Sequence, residues 1–232
     1  MVRKIISIVF MLSCMQNCFS QIQIHHKKEL FPKNEIGSLN HPDFPTDGYY
    51  YMIKTDTLYH KYGLQRDGTY NKEKSFYYPL KYLRCLFFSK DGFVIQKDFT
   101  TSYVQNQDSV KHYNQNLISI FEKKLASENI VEGLVKKDKL WFLNKKAQIW
   151  KNGIYKLDKD SIKMQIYNNL MGDYYLIEYK GQYHSNKIVF TQEYAYREEK
   201  RHTDNLVYEF KKLGKEITIS NYIRENPKKF WK

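Results

Sequence analysis

Residues 150–167 read WKNGIYKLDKDSIKMQIY. Ile162, Met164 and Ile166 alternate with Lys163, Gln165 and Tyr167, the period of two that a strand with one buried face requires. Ahead of them Tyr155 and Leu157 share a face, and Asp158-Lys159-Asp160 supplies residues that favour a turn. The stretch therefore predicts a β-hairpin. Trp150 and Tyr155 are five apart and would fall on opposite faces of a regular strand, so a β-bulge at Gly153 is expected to bring both rings to one side.

The same grammar recurs on both sides of this hairpin. KYLRCLFFSKDGFVIQK at 81–97 places two apolar strands about Asp91-Gly92, a strong hairpin signal. Residues 173–196 give two longer strands about His184-Ser185-Asn186, 206–220 give a last pair about Gly214, and DGYYYMIK at 47–54 gives an early strand. The expected fold is mainly β: an antiparallel meander of about eight or nine strands forming a lipocalin-like barrel or a sandwich, since such meanders close or stack to remove their edges. One amphipathic helix interrupts it over 108–129. There Val110, Tyr113, Leu117, Ile120 and Phe121 recur at helical spacing, with Asp108 or Ser109 as N-cap.

The leading twenty residues decide where the protein goes. MVRKIISIVFMLSCMQNCFS carries Arg3 and Lys4, the apolar run Ile5 to Leu12 and a weakly polar end, the layout of a secretory signal peptide and too short an apolar run to span a bilayer. Two processing routes are open. Cleavage after Ser20 yields an exported chain, periplasmic or secreted; Met11-Leu12-Ser13-Cys14 also resembles a lipobox, in which Cys14 would carry lipid and anchor a lipoprotein to the membrane. The domain organisation that follows is a signal over 1–20, an N-terminal arm over 21–46 and a single β-rich domain over 47–232. Removing the signal leaves Cys85 as the remaining thiol, so no internal disulfide is expected. Cys85 shares a face with Leu83 and Phe87, a buried small residue rather than a nucleophile.

The net charge is +13. A charge of that size raises the question of nucleic acid, yet lysine dominates, and arginine, which grips phosphate and guanine bidentately, occurs at few positions, so specific nucleic-acid recognition is not expected. Lysines solvating the outer faces of strands explain most of it. An anionic envelope surface is the remaining partner the charge suggests, with Lys228, Lys229 and Lys232 flanking Phe230 and Trp231 as the local candidate.

Trp150, Gly153 and Tyr155, followed by Ile162 and Gln165, together with an aromatic strand and a signal ending Phe-Ser before Gln21, resemble the uncharacterised exported proteins of flavobacteria. Several of those are described as lipocalin-like β-barrels, so the resemblance implies a barrel. The Gly-x-Trp signature of the first lipocalin strand is missing.

No catalytic signature is present: no Gly-x-Ser-x-Gly elbow, His-Glu-x-x-His helix, phosphate loop or Cys-x-x-Cys pair. No metal site is expected of the dispersed histidines, no cofactor is called for, and Glu198 and Glu199 lie among Arg197, Lys200 and Arg201 as a solvated loop. The 21 tyrosines have two readings, inner rings that fill a core or rings that line a cavity for an apolar or sugar-like ligand. The leading functional expectation is an exported non-enzymatic binding or envelope-associated barrel. The alternatives are a carrier of a small hydrophobic ligand and an envelope enzyme without a recognisable motif.

Overall fold

A computed structural model describes residues 23–37, 41, 43–60, 76–100, 107–128, 149–170, 172–213 and 219–231. Residues 1–20, expected to be a signal, and with them Cys14, lie outside these. Nine strands form one sheet: β1 Gly48–His60, β2 Phe76–Phe88, β3 Phe93–Phe99, β4 Asn152–Asp158, β5 Ser161–Leu170, β6 Asp173–His184, β7 Lys187–Ala195, β8 Lys200–His202 and β9 Leu206–Lys212. Their order is β6-β5-β4-β3-β2-β1-β9-β7-β8, and β6 also pairs with β7. Eight antiparallel strands thus close on themselves, and β8 hangs on β7 as an extra strand. The molecule is a closed lipocalin-like barrel with one long helix, which decides between the barrel and the sandwich that the run of hairpins left open.

Tight turns at 89–92, 159–160 and 185–186 gather at one end of the barrel, here the turn end. Gly92 has φ 93°, and a side chain there would press on the backbone of Ile36 and Gly37. Lys159 and Ser185 take positive φ in their two-residue turns. The β4–β5 hairpin has the register Asp158↔Ser161 through Gly153↔Ile166 without interruption, so the expected bulge at Gly153 is absent. Glycine is needed there for space instead: a Cβ would lie 2.1 Å from the Gln165 carbonyl oxygen and 2.6 Å from Ile166 Cγ1. Trp150 precedes the strand and is 49% exposed, its Nε1 donating to Asn168 Oδ1 at 3.1 Å, whereas Tyr155 is fully buried.

Helix α1, Gln107–Glu128, starts one residue before Asp108, which therefore sits in the first turn rather than at the cap, as does Ser109. Val110, Tyr113, Leu117 and Phe121 are buried, and Ile120 packs beside them. The helix lies on the outer side of the sheet, where Phe121 meets Tyr49 at 5.3 Å and Phe99 at 5.2 Å between ring centres. The arm adds Leu30 and Phe31 to this outer core, and the tail adds Ile219, Tyr222, Ile223 and Phe230. Leu83, Cys85 and Phe87 belong to it too. The second strand expected after Gly214 falls on 214–218, outside the described residues. Ile219 and Ser220 lead instead into a one-turn helix α2, Tyr222–Glu225, capped by Asn221 Oδ1.

The inner core is separate. Tyr50, Leu86, Phe88, Val94, Tyr155, Met164, Phe190 and their neighbours fill the turn-end half of the barrel. Phe44, from the arm, closes that end: its ring lies 5.6 Å from Tyr50, 5.3 Å from Phe88, 5.6 Å from Tyr155 and 5.0 Å from Tyr183. An eight-stranded barrel is just wide enough for side chains to fill or for one small ligand, and in this half the rings fill it.

Candidate functional site

At the opposite end the interior changes character. Arg84 follows Leu86 and Phe88 on the inner face of β2 and stands directly across from Asp98 on β3. Its Nε donates to Asp98 Oδ1 at 2.9 Å. Gln96, paired with Leu86, faces the same space and is nearly fully buried. Its amide is assigned with the oxygen toward two cations, because the reverse orientation sets an NH2 group against two donors. It then accepts from Lys151 Nζ at 3.0 Å and from Arg84 Nε at 3.2 Å.

Lys151 reaches this space from the turn before β4. Its φ is 63°, a conformation that non-glycine residues take uncommonly. Two backbone bonds hold it there: its N–H donates to the Tyr167 carbonyl at 2.8 Å, and its own carbonyl accepts from Gln96 N–H at 2.9 Å. Among the described residues no carboxylate lies within 4.0 Å of its ammonium.

Glu193 enters through a bulge. The β6–β7 register jumps from Lys180↔Gln192 to Gly181↔Phe190, leaving Thr191 as an extra residue. That one residue reverses the alternation along β7. Ile188 and Phe190 point inward before it, and Glu193, opposite the inward Tyr179, points inward after it. Gly181 permits the close approach, since a Cβ would fall 2.0 Å from the Val189 carbonyl oxygen. Tyr179 and Tyr208 complete the wall, both buried.

The electrostatics follow from burial. Burial opposes charge on Arg84, but Asp98 beside it and the hydrogen bond between them more than compensate, so its pKa is raised. Burial lowers the pKa of Lys151; Asp98 offsets part of this and Arg84 adds to it. Burial, then Glu193, raises the Tyr179 phenol, and burial raises Tyr208 against the opposing pull of Arg84. Both phenols are neutral donors at physiological pH. Solvent reaches the cluster, since the side chains of Arg84 and Asp98 are 18% and 35% exposed. The result is a partly solvated cluster of charges above an aromatic floor.

A second buried polar group lies outside the barrel and holds the arm. Gln165 accepts from Phe31 N–H at 2.9 Å and donates to the Glu29 carbonyl at 2.9 Å and to Glu178 Oε2 at 2.8 Å. Tyr196 also donates to Glu178, at 3.1 Å. These bonds satisfy one another and tie chain to chain, which is structural work.

The other residues singled out by the sequence are dispersed. Asp91 and Gly92 form the β2–β3 turn, where Asp91 pairs with Arg224. Cys85 is buried on the outer face and burial raises its thiol pKa well above the ordinary range, which keeps it an inert thiol. His25 stacks on Tyr175 at 4.5 Å, and among the described residues no cluster of three or more metal-ligating side chains occurs. In the tail Phe230 is buried, and the half-buried Trp231 donates from Nε1 to the Phe31 carbonyl at 2.9 Å, so both rings pack on the arm side of the barrel. Among the described residues no helix is long and apolar enough to cross a membrane. A groove of about 500 Å³ lined by Tyr77, Pro79, Val110 and Asn114 lies outside the barrel along α1.

Compared with known protein families, with curated proteins and with solved structures, the chain matches none. The site is therefore argued on its own geometry. Sequence reading missed all of its charged members. Gly181 inside a strand was the signal for the bulge that turns Glu193 inward; for Lys151 no signal exists, because nothing in the residue type announces its backbone conformation.

Proposed function

We propose that the protein is a non-enzymatic, exported binding barrel that takes a small ligand bearing an anionic group into the chamber formed by Arg84, Gln96, Lys151, Tyr179 and Tyr208. The observation that carries this reading is the burial of charge where a barrel needs only apolar filling. Breaking even with a hydrophobic interior is the usual fate of a buried ion pair, so stability alone gives little reason to place Arg84 and Asp98 there. Asp98 is bonded to Arg84 and Glu193 to Tyr179, and both act on Lys151 only from beyond 4.0 Å; the ammonium has Gln96 as its near partner, so an incoming carboxylate or phosphate would be its one close counter-charge. Arg84 and the Tyr208 hydroxyl offer further donors around the same space, while Tyr179 already donates to Glu193.

The filled floor argues against a carrier of a long apolar chain, since Phe44, Tyr50, Phe88 and Tyr155 occupy the depth such a chain would need. The ligand is accordingly short, with any apolar part directed outward. The test is mass spectrometry of the full chain purified from its native source, under native and denaturing conditions. The expected result is a small extra mass that persists natively, disappears on denaturation and is absent from Lys151→Met. A protein without extra mass that also fails to bind succinate, benzoate and inorganic phosphate by titration calorimetry would overturn the proposal.

A further inference from the structure

The β1–β2 hairpin is longer than the barrel that contains it. β1 pairs with β2 from Tyr50↔Leu86 to His60↔Phe76, but with β9 only from Gly48 to Tyr51. On the other side β2 pairs with β3 only from Leu83 to Phe88. Each strand of the ribbon therefore has a free edge among the described residues, and the two edges are treated differently.

Backbone alternation shows which groups face outward. Leu213 N–H donates to the Asp47 carbonyl at 3.0 Å, so odd-numbered residues of β1 direct their N–H and C=O toward the β9 side, and even-numbered ones toward β2. By the β1–β2 register, odd-numbered residues of β2 then face its free edge. Pro79 is one of these, and has no N–H to offer. Asn114 of α1 takes the two groups beside it, accepting from Lys81 N–H at 2.8 Å and donating to the Pro79 carbonyl at 2.7 Å. The β2 edge is blunted by a proline and a helix.

The β1 edge has neither device. Ile53, Thr55 and Thr57 point their backbone groups outward, and Thr55 to Leu58 are exposed, as is Ile53. We propose that this edge pairs with the same edge of a second copy, antiparallel about a two-fold axis at Thr55. The charges select that register. With Thr55 opposite Thr55, Ile53 and Thr57 exchange backbone hydrogen bonds, while Lys54 stands opposite Asp56 twice over and Met52 opposite Leu58. Sliding by one step in either direction sets Lys54 against Lys54 or Asp56 against Asp56, and like charges directly opposite are destabilising. Two barrels then share a continuous sheet, an isologous contact that closes after two copies.

This inference is independent of the ligand site. Sedimentation velocity on the full chain over a range of concentrations is expected to show a monomer–dimer equilibrium. Thr55→Pro removes an outward N–H and leaves the β1–β2 ladder its bonds, so it is expected to abolish the dimer while circular dichroism stays native. Should that variant unfold, charge reversal decides: Lys54→Asp or Asp56→Lys alone weakens association by about tenfold or more, and the two together restore it. Register is read by Thr55→Cys, which should cross-link across the axis on mild oxidation, with the linkage mapped to residue 55, whereas Thr57→Cys should not. A chain that stays monomeric up to its solubility limit, or a dimer indifferent to these substitutions, would sink the proposal.

Discussion

The two halves of the barrel interior are built from the same strands and do opposite things. Toward the turn end β2 contributes Leu86 and Phe88, β3 Val94 and β7 Phe190, and these pack against Phe44. A few residues along, the same strands contribute Arg84, Asp98 and Glu193 to a partly solvated chamber. Apolar filling makes the first half the source of stability, because each large ring removed from water and closely packed is worth several kcal/mol. The second half is held in shape by the first. That division lets the chamber carry groups that stabilise the fold little.

Phe44→Ala tests the floor and carries the largest expected effect. Removing a buried ring that touches four others leaves a cavity, and the cost expected is about 3–5 kcal/mol, read as a drop in the midpoint of urea denaturation. Because Phe44 comes from the arm, the variant should also loosen residues 43–47, seen as faster amide exchange there. A loss below about 1 kcal/mol would mean that the floor does not depend on the arm.

Asp98→Ala should cost less, about 1–2 kcal/mol, since the carboxylate is partly exposed and solvent screens the charge left on Arg84. The double variant Arg84→Met/Asp98→Leu removes both charges and is expected to regain most of that loss. Urea denaturation of the three proteins forms a thermodynamic cycle. A double variant as unstable as Asp98→Ala would assign the ion pair a structural role and blur the contrast between the halves.

The hairpins were legible in the sequence because each rests on local chemistry. Asp91-Gly92, Lys159-Asp160 and Ser185-Asn186 sit between alternating strands, and the helix follows from its own periodicity. The inside of the barrel was not legible. In KYLRCLFF both faces of β2 are buried, Leu83, Cys85 and Phe87 under α1 and Leu86 and Phe88 within the barrel, so alternation does not say which face is inner. Cys85 was read as buried and is, but on the outside of the sheet. The closure depends on β9 pairing with β1 and β7 across long stretches of chain, and no local signal encodes such a contact. The chamber depends on that closure, on a bulge and on the backbone of Lys151, which is why its members looked like surface charges.

Lys151→Met is the smallest effect and the sharpest, because its sign is opposite to that of Phe44→Ala. Burial lowers the folded-state pKa of Lys151 below its ordinary value of 10.5. The folded chain then binds fewer protons at this site than the unfolded chain in the window between the lowered value and 10.5, so stability rises with pH across that window, and the penalty is fully present below it. Exchanging the ammonium for a thioether of similar length should raise stability at about pH 7 by roughly 1 kcal/mol and flatten the rise in the window below 10.5. The buried tyrosines act in the other direction. Burial raises Tyr167, Tyr179 and Tyr208 above 10.0, so their contribution is complete below that pH and is lost only above it. The difference in urea midpoint between the variant and the parent, followed up to pH 10.0, therefore reports the lysine and not the tyrosines. A variant that is more stable and no longer binds an anion would identify Lys151 as a group held in the chamber at a cost to the fold; a less stable variant would make it part of the scaffold.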